Sequence, residues 1–279
     1  MTAPSPKRRI AALIPMLALL LGLAAACHKK TIELAPELSS SDEALYKLGE
    51  ATVKKDIEKG LHYLRQVIDS FPKSFYAQRA KLLIGDAYFK KGDESSMILA
   101  AAEYREFIRT YPYSPSAAYA QYQIALTSYK KMLKPGRDPS KTVQALAEFK
   151  KVITDYPGSD QAKEAQAKIK DCEERLAGHS AEIAVGYYKR RGYKAVISRM
   201  TEIMNLYPNY TGMDEVYFYL GDSYFMLRQY DQASPFFSKV VSDYSGRKLA
   251  KTASQRLAEI ALRKSAPPQP PAKVKVKRR

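Results

Sequence analysis

Apolar residues recur along most of this chain at spacings of three and four, and a six-residue phrase ends five of these stretches. It reads Val67-Ile68-Asp69-Ser70-Phe71-Pro72, Phe107-Ile108-Arg109-Thr110-Tyr111-Pro112, Val152-Ile153-Thr154-Asp155-Tyr156-Pro157 and Ile203-Met204-Asn205-Leu206-Tyr207-Pro208. The fifth copy, Val240-Val241-Ser242-Asp243-Tyr244-Ser245, lacks the proline. One position before the proline stands an aromatic, and five before stands Val67, Phe107, Val152, Ile203 or Val240. Eight before is bulky (Leu64, Tyr104, Phe149, Met200, Phe237), and twelve before is smaller (Gly60, Ala100, Ala145, Val196, Ala233). Such spacing places the columns on one helical face. Proline cannot continue a helix, so each phrase predicts a helix end.

A partner helix precedes each phrase, carrying Tyr217, Leu220, Gly221 and Tyr224 in the last copy, Ala184 and Tyr187 in the fourth, and Ile84, Gly85 and Tyr88 in the second. This is the pattern of the tetratricopeptide (TPR) helix-turn-helix unit, about 34 residues long. The predicted fold is all-α, with no strands: a superhelical array of five TPR-like helix pairs and a C-terminal capping helix on Leu249, Ala253, Leu257 and Ile260. Each repeat touches mainly its neighbours, so one elongated array is expected. Repeats 1–3 occupy 40–157, and residues 158–264 hold a long connecting helix, repeats 4–5 and the cap. Ser40-Ser41-Asp42-Glu43 supplies a capping box, Ser114-Pro115 opens the third pair, and Ser140 caps its second helix. The loop Lys134 to Pro139 lengthens repeat three; it reads as a functional insertion or a plain solvent loop. Residues 160–191 contain no proline and read as a single helix with Gly178 as its weak point, where a kink or break is expected if anywhere.

The ends differ in kind. Residues 1–26 form a lipoprotein signal peptide: Lys7, Arg8 and Arg9 precede the apolar run Ile10–Leu23, which is short of the roughly 20 residues a spanning helix needs. Leu23-Ala24-Ala25-Ala26-Cys27 resembles a lipobox, so Cys27 is the expected lipidation site, bearing diacylglycerol on sulfur and an acyl chain on nitrogen. Residues 27–39 read as the lipidated flexible tether, and 265–279 as a disordered Pro-rich basic tail that either touches an anionic surface or merely solubilises.

Formal charge is +17, of which the leader holds +3, the tail +5 and the body +9. Nucleic acid binding would rest on charge alone and is incompatible with export. No phosphate loop, metal motif or cysteine pair occurs, so no catalytic residue, metal or cofactor beyond the acyl chains is expected. Cys172 lies on an apolar stripe and reads as core rather than reactive thiol. Of the 21 tyrosines most are packing residues, while Tyr76, Tyr113 and Tyr119 fall outside the columns or near turns and are candidates for a peptide groove. The turn Lys189-Arg190-Arg191-Gly192-Tyr193-Lys194 is basic, with solvated charge as the plain alternative to docking.

The lipobox, the five TPR units, Arg137-Asp138-Pro139 with the helix after it, and the long helix to Gly192 together resemble the BamD family of the outer-membrane β-barrel assembly (BAM) machinery, over about Cys27 to Ile260. The resemblance implies a non-enzymatic scaffold, lipid-anchored on the periplasmic face of the outer membrane. His28 after Cys27 agrees with an outer-membrane destination, an aspartate there being a retention signal in enterobacteria. Implied partners are a POTRA domain of BamA, other BAM lipoproteins and unfolded outer-membrane proteins. Arg190, Arg191 and Tyr193 are then the candidate BamA dock, and the N-terminal repeats the substrate receiver. The alternative is a TPR adaptor lipoprotein of a pilus, secretion or cell-wall system.

Overall fold

The computed structural model describes residues 41–265; the leader, Cys27, the tether and the basic tail lie outside the described residues. Among the described residues there are eleven helices and no strand: α1 (Asp42–Val53), α2 (Ile57–Ser70), α3 (Phe75–Lys91), α4 (Glu94–Thr110), α5 (Ala117–Tyr129), α6 (Ser140–Asp155), α7 (Asp160–Lys189), α8 (Tyr193–Leu206), α9 (Met213–Met226), α10 (Tyr230–Asp243) and α11 (Lys248–Ser265). The fold is thus all-α and TPR-like. The chain divides into two compact units, 1–77 and 78–279, the division falling in the first turn of α3.

In the first unit α1 and α2 form an antiparallel hairpin. The backbones are close because two glycines face across it. A Cβ on Gly49 would come within 2.8 Å of Leu64, and one on Gly60 within 2.3 Å of the Val53 backbone. Leu45, Leu61, Leu64 and Val67 are sealed from solvent around this contact.

The second unit repeats that fit. A Cβ on Gly85 would meet the Tyr104 ring at 2.7 Å, and one on Gly221 the Phe237 ring at 3.2 Å. Ala125 and Ala184 take the glycine's place in the third and fourth pairs, in the same clusters as Phe149 and Met200. Apart from Gly60, itself buried, every residue of the three inner sequence columns is 0% exposed. The small-against-large pairing of the columns is therefore the packing rule of every hairpin.

All five second helices stop in one way. The aromatic (Phe71, Tyr111, Tyr156, Tyr207, Tyr244) sits at φ between −128° and −135° and donates its N–H to the carbonyl four residues back. Its own carbonyl accepts the N–H three residues on, closing a turn. Tyr244 does this with Ser245 following instead of proline, so the half-buried aromatic and its hydrogen bonds suffice and proline only restricts the alternatives.

Three local expectations need correction. Ser140 is the first helical residue and not the cap: Asp138 accepts from both its N–H (3.0 Å) and its Oγ (2.6 Å), the carboxylate being the stronger acceptor. Helix α5 starts at Ala117, not Pro115, because Ser114 first closes a turn, its Oγ accepting from Ser116 N–H and its carbonyl from Ala117 N–H. At α1 the cap is Ser41, which accepts from Ala44 N–H, while Glu43 pairs with Lys47 at 2.7 Å rather than completing a capping box.

Candidate functional site

Helix α7 is the organising element of the second unit, and it runs unbroken through Gly178. The glycine serves the loop of repeat three: a Cβ there would touch Pro135 at 3.4 Å. Around this contact the loop is fastened. His179 Nδ1 lies 2.5 Å from the Pro135 carbonyl, and Arg175 donates to the Leu133 carbonyl at 3.5 Å. The insertion is thus a pinned structure against the long helix rather than a free solvent loop.

Three cavities follow α7. The first, about 580 Å³, is lined by Asp171, Glu173, Glu174, Tyr207 and Tyr210. Burial raises both phenols above their ordinary range, and the neighbouring carboxylates add to the effect. A second, about 480 Å³, lies between Pro135, Gly178, Lys189 and Tyr210, and a third, about 290 Å³, between Gly136, His179, Tyr187 and Arg190. Lys170 also lines the first cavity and Glu182 both of the others, so each mixes charges, while the helix end itself, Lys189 to Arg191, is basic.

The basic turn closes α7. Arg190 donates Nε–H to the Gly186 carbonyl at 3.0 Å, with its guanidinium 5.4 Å from the Tyr187 ring centre. Arg191 is exposed and left-handed at φ 61°, and Gly192 N–H reaches back to the Tyr187 carbonyl at 2.9 Å. Tyr193 is half-buried, its ring edge-on to Tyr188 at 5.7 Å. The turn thus presents two arginines, while Tyr193 braces it from inside.

The other candidates separate. Tyr76, in the first unit, is half-buried with its ring 5.5 Å from Tyr46. Tyr113 is 98% exposed at the turn before α5. Tyr119 donates to Asp86 at 2.8 Å and lies edge-on to Tyr104, and burial with the adjacent carboxylate pushes its phenol far up. Its hydroxyl is thereby engaged in packing. Cys27 lies outside the described residues. Cys172 is fully buried, its thiol pushed up to about 12 by desolvation, in keeping with a core role.

Two polar anchors escaped the sequence columns. Asp86 accepts from Tyr104 (2.6 Å) and Tyr119 (2.8 Å). Asp222, 1% exposed, accepts from Tyr188 and from Arg256 Nε (2.7 Å), joining α7, α9 and α11. Their signal was present: each follows the first-helix glycine in Ile84-Gly85-Asp86 and Leu220-Gly221-Asp222.

Antiparallel helix pairs, a pinned insertion, an amphoteric face on a long helix and exposed basic turns define a helical-repeat scaffold. The profile of the YfiO family, described as outer membrane lipoprotein, matches residues 39–236, and the chain belongs to that family. It is similar to proteins named outer membrane protein assembly factor BamD: 25% identical over 224 residues in Haemophilus influenzae, covering 76% of this chain and 82% of that one. The Caulobacter vibrioides protein of that name is 27% identical over 192 residues, 68% of this chain and 62% of that one. Among solved structures, the TPR2AB-domain:pHSP90 complex of yeast Sti1 aligns at a TM-score of 0.44 and 11% identity, over 82% of this chain and 85% of that one. The chain is a non-enzymatic scaffold of its family. Among the described residues no helix is long and apolar enough to cross a membrane.

Proposed function

We propose that this chain is an assembly factor for outer-membrane β-barrel proteins, held at the periplasmic face of the outer membrane by acyl chains on Cys27. The match to the outer membrane lipoprotein family over residues 39–236 carries the reading, together with relatives named as assembly factors. The turn 189–194 docks a POTRA domain of BamA through Arg190 and Arg191, with Tyr193 positioning the turn. Exposure of both arginines, and the bracing of the turn by Tyr187 and Tyr188, support this role. Charges so placed steer a partner and set its orientation. Unfolded substrate is received by the N-terminal repeats, where Tyr113 offers an exposed aromatic. Other BAM lipoproteins and the membrane complete the partner set.

Reversal of both arginines (Arg190→Glu with Arg191→Glu) tests the dock. BamA association should slow and lose its salt dependence, with helicity and melting unchanged. Normal BamA binding by the double variant would exclude the turn. For the anchor, intact mass of the mature protein should show an acylated Cys27; an unmodified N-terminus would exclude it.

A further inference from the structure

Helix α7 carries three carboxylates close together, Asp171, Glu173 and Glu174, and the turn between α8 and α9 sets Tyr207 and Tyr210 around the same cavity of about 580 Å³. Lys170 is the one cation that lines it, in a chain whose formal charge is +17. The cavity is thus acidic where the chain as a whole is basic. Lys170 is exposed and pairs with no carboxylate among the described residues.

Of the three carboxylates only Glu174 is fully engaged. It accepts from Thr211 N–H at 3.0 Å and from the Thr211 hydroxyl, which fastens the turn to α7. Asp171 uses Oδ2 for both Tyr129 (2.8 Å) and Arg175 (3.2 Å), and among the described residues its Oδ1 accepts nothing. Glu173 pairs only with Lys150, at 3.5 Å on the surface. The tyrosines are open as well. Elsewhere in this unit Tyr104, Tyr119, Tyr129 and Tyr188 each set a hydroxyl on an aspartate. Tyr207 and Tyr210 share their cavity with two glutamates, yet among the described residues their hydroxyls bond nothing, and no cation or second ring contacts them. Raised by burial, both phenols stay neutral donors at physiological pH.

Open carboxylate oxygens beside two unoccupied tyrosine rings suit a cation that is also planar. An arginine guanidinium stacks on an aromatic face and forks onto carboxylates, which an ammonium cannot do. The volume exceeds that of one guanidinium and leaves room for the residues on each side of it. We propose that this cavity binds an arginine of an extended protein segment, its guanidinium held between the tyrosine rings and the open oxygens of Asp171 and Glu173. Asn209, exposed on the same turn, and the two hydroxyls then serve the segment's main chain. Arg190 of the docking turn lines a different cavity, so this site stands apart from the BamA reading.

The test uses the full mature chain with Cys27→Ser and a fluorescein-labelled peptide of glycine and serine carrying two arginines, followed by anisotropy. The parent should bind the peptide and release it as salt rises. A counterpart with citrulline, equal in shape and uncharged, should bind about tenfold more weakly, and one with lysine about fivefold. Glu173→Gln should weaken the arginine peptide about fivefold, a partly exposed ion pair's worth. Tyr207→Leu should do so by about the same factor through loss of the ring. Glu173 pairs only with a surface lysine, so its variant should melt as the parent does and decides the matter even where Tyr207→Leu is destabilised. Glu94→Gln, which removes a carboxylate of α4 outside the cavity, should change nothing. Equal binding of either counterpart peptide, parental affinity in Glu173→Gln, or an equal loss in Glu94→Gln overturns the proposal. So does displacement of the peptide by an equal concentration of spermidine, which would make the cavity a mere sink for cations.

Discussion

At the scale of single residues, the large member of each small-large pair does most of the work. Phe237 is fully buried between Gly221 and the α11 face. Phe237→Ala should destabilise by about 3–5 kcal/mol, since the rigid hairpin cannot collapse into the space. Ala233→Phe should cost about 1–3 kcal/mol by overpacking. Chemical denaturation measures both, and parental midpoints would show the packing assignment to be wrong. The ionisable core sets a pH limit. Burial, aided by Glu164 and Asp171, pushes Tyr122 and Tyr129 up to about 12, and burial does the same to Cys172. These groups are raised in the fold, so their contribution is complete below the unfolded values and lost as pH climbs through the folded ones. Thermal melts should hold to about pH 9 and fall progressively towards pH 12. A melting temperature flat across that window would contradict the burial of these groups.

Elements show which local signals carry weight. Tyr244 caps α10 as its four counterparts cap theirs, yet Ser245 stands where the others have proline. Ser245→Pro should therefore be accommodated and stabilise by about 0.4–1 kcal/mol through the unfolded chain. A loss of stability would mean that this turn differs from the other four. The left-handed arginines, Arg191 and Arg228 (φ 62°), make the converse case: Arg228→Gly should stabilise by about 1 kcal/mol while removing a charge. Helix α7 illustrates a sequence signal with the opposite meaning. Gly178 reads as a weak point, but in the fold it is the seat of Pro135, and the helix passes straight through. Propensity is a local quantity, and tertiary packing can outweigh it: even a Cβ at this position would rest on Pro135 at 3.4 Å, an ordinary contact.

At the scale of the molecule, α11 lies beyond the residue 236 limit of the family match but completes the second unit. Ala253 and Ile260 are sealed against α9 and α10, while Arg256 satisfies the buried Asp222 and lies 4.4 Å over the Phe225 ring. A chain ending at residue 247 would expose Phe218, Phe225 and Phe237 and leave Asp222 without its arginine. It should melt lower and bind a hydrophobic dye. Arg256→Met, which keeps most of the apolar contact, should lose the charge-assisted bond alone, about 1.5–3 kcal/mol. Parental melting by both would reduce α11 to an appendage.

The five phrases determined by themselves the helix ends, the inner columns and the TPR class, because a three-four spacing with small and large residues in fixed places has only one way to bury its apolar face. The resemblance of Leu23-Ala24-Ala25-Ala26-Cys27 to a lipobox is likewise a short-range pattern, and lipidation there is an expectation of the sequence alone. What lies between repeats was decided by the tertiary structure. The engagement of Asp222, the pinning of the 134–139 loop and the inward turn of Tyr119 onto Asp86 depend on residues 33 to 44 positions apart. The left-handed state of Arg191 and Arg228 was equally hidden, because glycine is the residue that announces such a turn. Hydrogen bonds and ion pairs across that separation leave no periodicity in the chain, and only the packed helices bring their partners within reach.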